Sequence, residues 1–116
     1  MTHLFVYGTL KRGFHNHKRL SAARFVESLQ TIAGYQLYSY NGLPIMIFSG
    51  GESRVNGELY EVSRSVLEKL DKLEGHPTMY RRETIIVGED SREAQAYIWQ
   101  GDLMGARRVT SGTWQD

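Results

Sequence analysis

Residues 4–17, LFVYGTLKRGFHNH, decide how this chain is read: a short buried strand, a glycine turn, then a loop crowded with polar groups. Leu4, Phe5, Val6 and Tyr7 form a β-prone apolar run too short for a helix. Gly8 stops the run by allowing a backbone conformation that a residue with Cβ would resist. Such a turn leaves the amides of Gly8, Thr9 and Leu10 facing outward, and successive unpaired N–H groups at a strand end cradle a carboxylate, a phosphate or an oxyanion. Gly8 and Gly13 also have the G-x-x-x-x-G spacing of a nucleotide P-loop. Phe14 and His15 stand where that motif needs Lys and Ser or Thr, so nucleoside triphosphates are dropped. The plainer reading of the stretch is an N-terminal core strand with its turn.

Outward from this stretch, residues 16–23 suit a short helix and residues 24–31 an extended segment. Residues 33–40, AGYQLYSY, alternate Tyr35 and Leu37 against Gln36 and Tyr38, the pattern of a strand with one face in the core. Asn41 and Gly42 give the strongest short turn signal, and Pro44 with residues 45–48 reads as a second strand or an extended pocket wall. The loop SGGES follows. Residues 55–62, VNGELYEV, return to strand character, with Gly57 marking a bulge or a close backbone approach. Residues 79–88 and 92–100 read as two further strands joined by a hairpin at Glu89, Asp90 and Ser91. Residues 101–116 have no clear period and read as loop or short helix, with Trp114 docking near the end.

The one convincing helix is 64–74. Ser63 or Ser65 can cap it, Ser65 and Glu68 having capping-box spacing, and Gly75 and Pro77 end it. At 100° per residue from Val66, Leu67, Leu70 and Leu73 make an apolar stripe, and Glu74 falls inside it at about 80°. Glu68, Lys69, Asp71 and Lys72 all fall outside. Glu74 also stands in the last turn, where the carbonyl end of the helix dipole disfavours negative charge. Burial and dipole both favour the neutral acid and raise its pKa from about 4.3 toward the 6–7 range useful for proton transfer. The alternative is that Glu74 turns to solvent or pairs with Arg81 or Arg82. Strands outnumber helices without βαβ alternation, which predicts an α+β fold: a small mixed β-barrel or strongly curved sheet with flanking helices.

Composition narrows the function classes. A chain of 116 residues reads as a single domain over 1–116, burying roughly two thirds of its unfolded surface. It has no cysteine, which removes thiol catalysis, disulfides and thiolate metal sites and fits a reducing cytoplasm. No run approaches membrane-spanning length and no signal-type stretch opens the chain, so an intracellular protein is expected. A net charge of +1 argues against nucleic acid as partner, although Lys11, Arg12, Lys18 and Arg19 make the first loop locally basic, either as a solvated rim or as an attraction for an acidic small molecule. His15 and His17, with His3 or His76, could form a metal-hydrolase site, but no third ligand has helix or strand spacing to the pair.

FVYGTLKRG followed by Asn16 and His17, then LYSYNGLP, GELYEV and LDKLEGHPTMYRR, resembles the γ-glutamylcyclotransferase-like family, and within it the γ-glutamylamine cyclotransferases. The match runs in the family's order from Phe5 to about Trp99. The resemblance implies a small mixed barrel with flanking helices, a glutamyl group held by the turn at Tyr7, Gly8, Thr9 and Leu10, and Glu74 as the acid/base. It adds Asn16, Pro44 and Tyr80 as substrate-binding candidates, and Trp99 at a position where relatives often have tyrosine. The implied reaction closes a γ-glutamyl amine or amide to 5-oxoproline with release of the amine. It calls for no metal or organic cofactor and for no partner beyond the small-molecule substrate, and a monomer or weak dimer is expected. A non-catalytic small-molecule binding module of the same fold is the alternative, with Glu74 as the discriminating residue.

Overall fold

The computed structural model describes residues 1–115; Asp116, the last residue of the expected tail loop, lies outside them. Eight strands and one α-helix follow in the order β1 (Thr2–Val6), β2 (Arg24–Gln30), β3 (Tyr35–Tyr40), β4 (Leu43–Phe48), β5 (Asn56–Val62), α1 (Arg64–Glu74), β6 (Tyr80–Val87), β7 (Arg92–Trp99) and β8 (Arg107–Arg108). The opening stretch is the centre of the fold. β1 is the middle strand of a five-stranded sheet ordered β2-β5-β1-β7-β6, antiparallel to β5 and parallel to β7. Its alternation places Leu4 and Val6 in one apolar cluster with Val66, Leu67 and Leu70 of α1, and Phe5 and Tyr7 in a second with Leu37, Met46 and Ile85. Burial on both faces is why the run reads as continuously apolar.

A three-stranded sheet, β4-β3-β8, makes the second layer. Its β3–β4 hairpin turns at Asn41 and Gly42, whose φ values of 48° and 78° are those of a type I′ turn. The expected barrel is an open one. The five-stranded sheet rolls until its two edges meet at one end, where Thr31 bridges Val87 and Gly88 N–H donates to the Gln30 carbonyl at 2.8 Å, and elsewhere they stay apart. The fold is therefore mixed α+β with curved, unclosed sheets and one flanking α-helix.

Local expectations are refined in four places. Residues 16–23 form only one 3-10 turn, His17–Leu20, because Leu20 is the single buried residue that anchors it. Gly57 marks a close approach, since a Cβ there would lie 2.4 Å from the Val6 carbonyl oxygen; the bulge falls instead in β2, between Phe25 and Glu27. In the tail, β8 adds two residues to the edge of β3, while Trp114 is docked in the second apolar cluster. Ser63, not Ser65, caps α1, its hydroxyl accepting from Val66 N–H at 3.3 Å. Ser63→Ala is expected to lower stability by about 1 kcal/mol in a denaturant titration, with no change in slope.

Candidate active site

The carboxyl end of β1, the end of α1, the start of β4 and strands β6 and β7 converge on a pocket of about 140 Å³. Tyr7, Gly8, Thr9, Leu10, Asn16, Pro44, Glu74 and Tyr80 all line it. Trp99 does not; it packs behind the wall, tilted against Tyr40 and edge-to-face with Tyr80 at ring distances of 5.5 and 5.3 Å, and its indole N–H donates to the Asp102 carbonyl. Phe5, Val6, Leu43, Leu73, Met79 and Tyr97 complete the lining beyond the residues expected from sequence. Tyr97 lies in a buried run with Ala96 and Ile98 on β7, and nothing in that local pattern distinguishes a pocket wall from core.

The turn is built as a cradle. Lys11 N–H donates to the Gly8 carbonyl at 3.1 Å, and Asn16 grips Thr9 twice: N–H to carbonyl at 3.1 Å and Nδ2 to Oγ1 at 2.9 Å. The N–H groups of Gly8, Thr9 and Leu10 have no acceptor among the turn and loop hydrogen bonds of the described residues. Just beyond, the buried Lys11 ammonium donates to the Trp114 carbonyl at 3.1 Å, and Arg12 donates to the Glu58 carboxylate through its backbone N–H and Nε. The loop thus enters and leaves the pocket between fixed points. Gly8 itself does not have the positive φ its sequence position suggested. It is needed for space, because a Cβ would stand 2.4 Å from Pro44 Cγ.

Among the described residues, Glu74 is the only charged one in the lining. Burial pushes its pKa up to about 7. No salt bridge or hydrogen bond engages its carboxyl among the described residues; the two arginines of β6 are paired elsewhere, Arg81 with Glu83 at 2.7 Å and Arg82 with Asp71 at 2.9 Å. The aromatic hydroxyls are occupied as donors, Tyr7 to the Tyr97 carbonyl, Tyr80 to the Pro44 carbonyl and Tyr97 to Asp71. Burial raises the pKa of all three, so they stay neutral around a carboxyl that titrates near pH 7. Three of the four histidines have partners outside the pocket's carboxyl, His3 with Glu61, His17 Nδ1 with the Leu10 carbonyl, and His76 Nδ1 accepting from Arg82 N–H, while His15 is exposed.

The pocket thus brings one buried carboxyl and the turn at Gly8, Thr9 and Leu10 into a single lining. Residues 4–116 match the family model described as gamma-glutamyl cyclotransferase, AIG2-like, and the chain belongs to that family. A protein of Methanocaldococcus jannaschii is 34% identical over 118 residues, covering 100% of this chain and 98% of its own. The gamma-glutamylaminecyclotransferase of Mus musculus is 34% identical over 110 residues, covering 88% of this chain and 69% of that protein. The crystal structure of an AIG2-like protein from Mus musculus superposes with a TM-score of 0.78 at 34% identity, over 84% of this chain and 76% of that one.

Proposed function

We propose that this chain converts a γ-glutamyl amine or amide to 5-oxoproline and free amine, with Glu74 carrying the proton. The observation behind this reading is the meeting, in one pocket, of an unpartnered carboxyl with a pKa of about 7 and the free amides at Gly8, Thr9 and Leu10. In the free enzyme near neutrality the carboxylate form is populated and accepts a proton from the substrate's α-ammonium. The freed amine attacks the γ-carbonyl carbon, forming the ring C–N bond and an oxyanion. Glu74, now protonated, gives that proton to the departing nitrogen as the original C–N bond breaks and the oxyanion collapses to the lactam carbonyl. The second proton that the new ring nitrogen must shed passes through the same carboxylate to the freed amine, which leaves as an ammonium ion, so one carboxyl serves as base and as acid. The turn amides hold the α-carboxylate or the oxyanion. Reactants within one molecule, held in the compact conformer, exploit effective molarities of roughly 10⁵–10⁸ M. The name of the mouse relative supports an amine as the departing group.

The test is 5-oxoproline release by the purified protein from a panel of γ-glutamyl amines and γ-glutamyl amino acids. Release from none of them would overturn the reading. The pH profile adds a sharper check. Only the carboxylate accepts the ammonium proton, so kcat/KM should rise about tenfold per unit below pH 7 and level off above the pKa of Glu74. A limb in the ordinary glutamate range would mean that Glu74 is solvated in the free enzyme.

A further inference from the structure

One helical turn before Glu74, Asp71 lies at i, i+3 spacing on the same side of α1. Its carboxylate accepts from Arg82 Nε at 2.9 Å, from Arg82 Nη2 at 3.1 Å and from the Tyr97 hydroxyl at 2.7 Å. Arg82 is also tied through Nη1 to Gln95 at 2.6 Å and through its backbone N–H to His76. A guanidinium from β6 is thus clamped between α1 and β7, next to the pocket. The groups around Glu74 from each packed element are Tyr7 after β1, Asn16 in the first loop, Pro44 of β4, Tyr80 of β6 and Tyr97 of β7, all uncharged. Outside that ring stand the Asp71–Arg82 pair, the His76 imidazole after the helix, the exposed Lys72, and Arg81 already bound to Glu83.

We propose that Asp71 and Arg82 are a positioning pair for Glu74: the bidentate clamp turns the guanidinium away from the pocket and holds the net charge beside Glu74 at zero. Without Asp71, the Arg82 guanidinium would be an uncompensated positive charge beside the Tyr97 wall of the pocket, and it would hold Glu74 as a carboxylate and weaken it as the acid for the departing amine. With Asp71 unpaired, a second negative charge would hold it protonated and idle as a base. The pair also anchors the pocket wall, because the Tyr97 hydroxyl bound to Asp71 fixes the ring whose backbone carbonyl accepts from Tyr7 at 2.6 Å.

This inference rests on Glu74 as the proton carrier, but its test does not need turnover. The Glu74 carboxyl is followed by ¹³C NMR through a pH titration in the wild type, Asp71→Asn, Arg82→Met and the double variant. Asp71→Asn leaves the guanidinium uncompensated and should move the Glu74 titration down by about one unit or more. Arg82→Met should move it up, and the double variant should return it close to the wild-type position. A merely structural role would move both single variants in the same direction or not at all, and either result overturns the proposal. Should Asp71→Asn fail to fold, the upward shift in Arg82→Met decides alone. The acid limb of kcat/KM, measured on the same proteins, should follow the NMR shifts. Opposite NMR shifts with an unmoved limb would uphold the pair while removing Glu74 from catalysis, so the two failures are distinct.

Discussion

Glu74→Gln is expected to lower 5-oxoproline release by roughly 10²–10⁴-fold while leaving the fold intact, the range by which a positioned acid/base accelerates proton transfer. The amide keeps the size of the carboxyl and removes the proton acceptor. No ion pair is broken, because the Glu74 carboxyl has none among the described residues. Stability should respond in a pH-dependent way. A carboxyl whose folded pKa of about 7 lies above its ordinary value favours the folded state fully at acid pH and loses that advantage as pH rises through 7. The wild type should therefore lose roughly 1.4 kcal/mol relative to Glu74→Gln for each pH unit between pH 4.5 and 7. Thermal denaturation at pH 4.5 and pH 8 measures the difference. Turnover by Glu74→Gln close to the wild-type rate would sink the mechanism.

Gly8→Ala should damage both binding and stability. The added methyl would stand 2.4 Å from Pro44 Cγ and 2.8 Å from Pro44 Cβ, ring atoms that cannot swing aside. Either the turn or the start of β4 must shift, and overpacking of this kind costs about 1–3 kcal/mol. A shift of a few tenths of an ångström in the amides at Gly8, Thr9 and Leu10 would misplace the cradle, so KM should rise together with the loss of stability. A stably folded Gly8→Ala protein with unchanged KM would show that the glutamyl group is held elsewhere.

The sequence carried the parts of this molecule that depend on local pattern. β1, the Asn41–Gly42 hairpin and α1 are visible because apolar period, turn chemistry and capping act within a few residues. The inward aim of Glu74 was legible for the same reason, since a helical wheel fixes direction without knowing the neighbours. The fate of its rivals was not. That Arg82 belongs to Asp71 depends on how β6 lies against α1, which no spacing in the chain encodes, whereas Arg81 and Glu83 are i, i+2 neighbours on one face of β6. Gly8 shows the same limit. Its place at the end of β1 suggested a backbone requirement, whereas the constraint is Pro44, 36 positions later in the chain and on another sheet. Trp99, which the resemblance put among the substrate-binding candidates, lies one ring behind the wall, against Tyr80 and outside the pocket lining.

Pro44 carries one further consequence, for solubility. β4 is an edge of its sheet and is the apolar run LPIMIF, a segment of the kind that recruits other chains edge to edge. Tyr40 and Leu43 flank the two-residue turn as the hydrogen-bonded pair, so the next pair, Ser39 and Pro44, points its main-chain groups away from the partner strand. At that outward position the proline has no N–H to offer, and its carbonyl is already taken by the Tyr80 hydroxyl at 2.8 Å. The residue that shapes the pocket therefore also removes one donor and one acceptor from the strand edge beside it.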